Sequence, residues 1–174
     1  MKGLDRNAGV PVARVALLTI TVLLLNVLLF SRFSLLAVRP EPLLLVSIIG
    51  ALHLGPRGGA LLGCAAGLAA DLISARPIGL WLLVCGLIGL GIGTIRDQLS
   101  PDRERAALVV SVLLGTVLGL LFYPSLAFAV TEQPFPAPLR FVTIVVFASL
   151  WNLFLTPLIV LLVRRLFVAP LVKR

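Results

Sequence analysis

The segment GPRGGALLGCAAGLAADLISARPIGL, residues 55–80, decides how the chain is read. Glycine recurs at Gly55, Gly59, Gly63 and Gly67, and the next step of four falls on Asp71. Four residues turn a helix by about 400°, so successive rungs drift about 40° around the axis and form an inclined ridge. A ridge of small residues lets another backbone approach closely, which matters in lipid because hydrophobicity alone does not drive helices together there. Gly86, Gly89 and Gly93, then Gly115 and Gly119, repeat the pattern in later segments. Internal helix packing is the reading these glycines support first.

The surroundings of the ladder are those of a membrane protein. The 174 residues are 60% hydrophobic and 13% charged, with a mean hydropathy of +1.14, against roughly a quarter charged in a soluble domain. Six apolar segments are expected to form transmembrane helices, at residues 15–30, 42–54, 56–74, 78–95, 106–123 and 141–163. Pro42 and Pro56 suit the first position of a helix, and Glu41 precedes a helix start, where negative charge is favoured. Tyr123-Pro124 is expected to stop the fifth segment, and Trp81 and Tyr123 suit an interfacial belt. The first apolar run is followed by Ser31-Arg32-Phe33 rather than a small-residue cleavage site, so an uncleaved helix is expected.

Charge gives the orientation. With the N-terminus in the cytoplasm, the inner side collects Lys2, Arg6, Arg14, Arg57, Arg96, Arg103, Arg105, Arg164, Arg165, Lys173 and Arg174. Arg32, Arg39, Arg76 and Arg140 fall outside. Cytoplasmic loops carry the excess of basic residues, so both termini are expected inside. The resulting expectation is an all-α polytopic helix bundle: a cytoplasmic tail at 1–14, a six-helix membrane domain at 15–165, and a basic cytoplasmic tail at 166–174. Segment 42–54 is short, at roughly 20 Å of helix against a core of about 30 Å. A re-entrant hairpin of segments two and three is the alternative, disfavoured because it would bring Arg57 into the membrane.

The net charge of +8 does not indicate nucleic-acid binding, because the basic residues punctuate segment ends instead of forming one stripe. Catalytic chemistry has few candidates. Asp71 is the one carboxylate expected at membrane depth, so an aspartyl dyad is excluded. His53 has no nearby serine or cysteine motif to activate and reads as a headgroup-level residue. Cys64 and Cys85 are expected at different depths, hence unpaired, and one histidine gives no metal-ligand spacing. No catalytic, cofactor or metal residue is expected. Asp71 with Asn26, Asn152, Thr116 and Thr156 is too sparse a set for a proton relay, though not for a small-ligand binding subunit.

Asp71 is expected near the outer end of its helix, where a carboxylate opposes the helix dipole. It reads either as a solvated interfacial residue beside Arg76 or Arg39, or as a polar anchor for the outer loop or a partner helix.

The motifs RPEPLLLVSI and GALLGCAAGLAADLISARPIGLWLL resemble the bacterial rod shape-determining protein MreD family. The resemblance rests on Arg39 and Pro40, then Gly67, Asp71, Leu72, Ile73 and Ser74, then Ile78 and Gly79. A weaker echo lies at Asn152, Pro157, Arg164 and Arg165, and the turn Ala75-Arg76-Pro77 departs from the family pattern. The resemblance implies a non-enzymatic subunit of the cell-elongation machinery in the bacterial inner membrane. Its implied partners are an MreC-like bitopic protein, an MreB-type filament, a peptidoglycan glycosyltransferase and transpeptidase, and membrane lipids. It also implies a fold similar to the substrate-binding subunits of energy-coupling-factor transporters, which makes a vitamin-binding subunit the alternative. Arg39, Pro40, Gly59, Gly63, Gly67, Asp71, Ser74, Arg76, Gly79 and Asn152 are the expected interface or structural positions.

Overall fold

The computed structural model describes residues 12–27, 41–74, 78–96, 104–131 and 135–168. Within them the chain is almost wholly helical, with no strand. The helices are α1 (Val12–Leu25), α2 (Pro42–Ser74), α3 (Leu80–Arg96), α4 (Glu104–Thr131) and α5 (Pro138–Val163), followed by a π-helical turn, Arg164–Val168.

Helix α2 is not one rod. Gly55 has φ 77° and ψ −170°, a backbone conformation that breaks the helix and that glycine adopts without steric cost. The two limbs, 42–54 and 56–74, then lie antiparallel. A Cβ built on Gly59 would stand 2.6 Å from the Ala51 Cβ, and one on Gly63 would stand 2.7 Å from Ser47 Oγ. Along a straight helix Gly63 and Ser47 would be roughly 24 Å apart. Pro56 begins the second limb, where its missing N–H costs nothing. The described chain therefore has six helical segments, with the break between the expected second and third.

The first limb is the centre of the molecule. Leu43 to Ala51 are buried on every side, and α1, α3, α4 and α5 all pack against α2. Helix α3 returns antiparallel to the second limb, and α2 as a whole makes its most extensive contact with α3. Gly115 of α4 approaches Ile48 and Ile92, and Gly119 approaches Leu44 and Ile88.

Helices α4 and α5 are long and apolar enough to cross a membrane, whereas α1 and α3 are shorter apolar helices. Taken from Pro42 to Ile73, α2 also has the length, but its reversal at Gly55 divides that length between two limbs.

Two expected boundaries are corrected. Helix α4 runs through Tyr123-Pro124 to Thr131. Proline removes one backbone bond, but the following residues are apolar, and a helix is the state that satisfies the remaining backbone groups in lipid. Helix α5 starts at Pro138, with that proline in its first turn. The expected depth difference between the cysteines is also overturned. Cys64 Sγ lies 2.8 Å from where a Gly86 Cβ would be, which puts it level with Cys85. Both are free because they face different ways, Cys64 exposed and Cys85 buried.

Candidate functional site

The ladder of the second limb is matched rung for rung by α3. Gly59 faces the carbonyl of Gly89, Gly63 that of Cys85, and Gly67 that of Trp81. As the number on the second limb rises by four, its partner on α3 falls by four, the register of an antiparallel pair. Each rung leaves no space for a side chain. A Gly59 Cβ would stand 2.5 Å from the Gly89 oxygen, and a Gly67 Cβ 2.6 Å from the Leu82 Cα. Gly93 continues the seam against Pro56, where its Cβ would lie 2.6 Å from the proline Cα.

Ser47 joins the first limb to this seam. Its hydroxyl donates to the Cys85 carbonyl at 2.7 Å and is fully buried. That oxygen belongs to the same residue that Gly63 approaches, so three helical segments meet at one level. Sequence reasoning missed Ser47. The signal was its spacing of four from Ala51, a second small-residue pattern facing the first.

Asp71 occupies the next rung, at the level where α3 begins. The neighbouring backbone there presents the N–H groups of a helix start, which have no intrahelical acceptor. Gly79 N–H donates to Asp71 Oδ2 at 2.9 Å, Trp81 N–H to Oδ1 at 3.0 Å, and Leu82 N–H to Oδ2 at 3.1 Å. The residue is 3% exposed. The carboxylate is thus unfavourably placed for the dipole of its own helix but favourably for that of α3. Gly79, with φ 113°, supplies the left-handed turn that brings these amides to Asp71. Beside them Trp81 stacks on Tyr123 of α4, with ring centroids 4.4 Å apart.

Asn152 lies elsewhere, between α5 and α4. Its Nδ2 donates to Thr116 Oγ1 at 2.9 Å, both residues are fully buried, and Thr156 Oγ1 donates to the Asn152 carbonyl at 2.8 Å. Asn152 Oδ1 has no hydrogen-bond partner among the described residues. The expected positions therefore form two groups: Gly59, Gly63, Gly67, Asp71 and Gly79 along one hairpin seam, and Asn152 apart from it. Arg39, Pro40 and Arg76, and the side chain of Ser74, lie outside the described residues. Among the described residues no group of three or more His, Cys, Asp or Glu side chains could hold a metal ion.

The seam can fix helices and a turn relative to one another; its polar groups are engaged with backbone rather than gathered around a space. Comparison with known proteins adds one match. A family model described as rod shape-determining protein MreD matches residues 10–169. No curated protein matches, and no solved structure matches.

Proposed function

The chain belongs to the rod shape-determining protein MreD family, and from that premise we propose that it is a non-enzymatic scaffold of the cell-elongation machinery. The family is one of bacterial inner-membrane proteins with a role in determining rod shape. In this reading all six helical segments cross the membrane and both termini face the cytoplasm. The chain docks the transmembrane helix of an MreC-like partner and helps position a peptidoglycan glycosyltransferase and transpeptidase, with an MreB-type filament on the cytoplasmic side.

One observation carries the reading: the ladder and its carboxylate are engaged inside the chain. Gly59, Gly63 and Gly67 already have backbone against them, so they are closed to a partner helix. The surfaces left for helix–helix contact are the outer apolar faces. On α5, Val142, Val146, Leu150, Phe154 and Leu158 are exposed at steps of four, a spacing that gives one continuous ridge. Coupling through such contacts needs no turnover.

Extraction of the tagged chain from host membranes in mild detergent tests this reading. An MreC-like protein is expected to co-purify at near-stoichiometric yield. Recovery of the folded chain without it, under conditions that preserve other membrane complexes, would contradict the docking role.

A further inference from the structure

The end of the bundle where α2 reverses brings together arginines from three elements. Arg57 is exposed on the first turn of the second limb. Arg96, the last residue of α3, places Nη1 3.5 Å from where a Gly55 Cβ would stand. Arg164, just beyond α5, donates from Nε to His53 Nε2 at 3.5 Å. His53 Nδ1 lies 2.9 Å from the Ile49 carbonyl oxygen, a contact that needs the proton on Nδ1 and leaves Nε2 as the acceptor facing Arg164. Two guanidinium groups, of Arg96 and Arg164, thus lie against residues 53–55, and the exposed Arg57 stands on the first turn after the reversal.

We propose that this end of the bundle is a binding surface for the phosphate groups of anionic lipids, formed by Arg57, Arg96 and Arg164. Charge supports it first. The topology expected from the sequence gives the cytoplasmic side eleven basic residues against four carboxylates, and the outer side four against three.

The border of the patch identifies a lipid as the source of the phosphate. Leu61, one turn along from Arg57, is 42% exposed; Ile95, beside Arg96, is 49% exposed; Leu161, three residues before Arg164, is 50% exposed. Each of these arginines lies within about a turn, along the chain, of an exposed aliphatic side chain. That is the arrangement of a headgroup above acyl chains, with the long arginine stems bridging the two zones. A soluble acidic protein would match the charges and leave the aliphatic border uncovered. The inference stands apart from the partner role proposed above, because it concerns a different end and a different class of ligand.

The test uses the purified full chain, titrated with phosphatidylglycerol or phosphatidylcholine in mixed micelles and read by native mass spectrometry and thermal stability. Phosphatidylglycerol is expected to be retained in preference. Arg57→Gln alone should weaken that retention about fivefold, and the triple variant with Arg96→Gln and Arg164→Gln on the order of a hundredfold. Arg140→Gln, at the other end, should leave it unchanged. Inorganic phosphate at millimolar concentration should not displace the lipid. Equal retention of phosphatidylcholine, an equal loss with Arg140→Gln, or displacement by free phosphate would overturn the proposal. If the triple variant does not fold, the exposed Arg57→Gln variant decides: full retention by that folded variant overturns the proposal.

Discussion

Gly63→Ala tests the seam most sharply, because the added methyl group has nowhere to go. Its Cβ would lie 2.7 Å from Ser47 Oγ and 2.8 Å from the carbonyl carbon of Cys85, where carbon atoms in contact prefer about 3.5–4.0 Å. Both obstacles belong to rigid parts: a helix backbone, and a hydroxyl held by its bond to that backbone at 2.7 Å. The second limb and α3 must therefore part by roughly 1 Å, which also stretches the contacts at Gly59 and Gly67. Overpacking of this kind costs about 1–3 kcal/mol, and weakening the buried Ser47 bond costs about 1 kcal/mol more. Replacing glycine by alanine in a helix returns about 1 kcal/mol, so the net loss is about 1–3 kcal/mol.

Gly91→Ala supplies the control. Gly91 lies on the same helix as Cys85, but nothing stands within 4 Å of its added Cβ. It should gain up to about 1 kcal/mol from propensity alone. Equilibrium unfolding in mixed micelles, followed by the fluorescence of Trp81 and Trp151, measures both. A Gly63→Ala variant as stable as the parent, or a Gly91→Ala variant equally destabilised, would refute the close-packing argument.

Two further substitutions probe the polar contacts. Asp71→Ala leaves the Gly79, Trp81 and Leu82 amides without their acceptor and should cost about 2–4 kcal/mol, with faster hydrogen exchange at those three amides. Asp71→Asn can keep the two bonds made by one oxygen and should lose about half as much; equal stability and unchanged exchange in both variants would count against the anchor. Asn152→Leu removes one interhelical bond but also a buried oxygen that has no partner, and such bonds in membrane proteins average about 0.6 kcal/mol. Its unfolding free energy should change by less than about 1.5 kcal/mol, and a collapse of the fold would show that α4 and α5 depend on it far more.

The helical segments were legible because proline and glycine mark their limits. Gly55-Pro56 punctuates the reversal in the sequence as it does in space. Pro124 misled because the rule that proline stops a helix weakens when apolar residues follow it in a lipid environment. The face of the ladder was legible from its spacing of four, but the register was not, since spacing identifies a ridge and leaves its partner open. Asp71 shows the same limit. Its donors lie eight, ten and eleven residues further along, across a turn whose shape the local pattern does not contain. Weighed against its own helix alone, the carboxylate looked unfavourable; the compensating dipole belongs to α3. Ser47 was passed over for the related reason that its role exists only when three segments meet at one level.

Cell geometry under depletion tests the role of this chain as a shape-determining scaffold most directly. When expression is shut off in a rod-shaped host that depends on this chain, the ratio of cell length to width should fall toward that of a sphere over a few generations. Cells that keep their rod shape and width after the protein is gone would contradict the account.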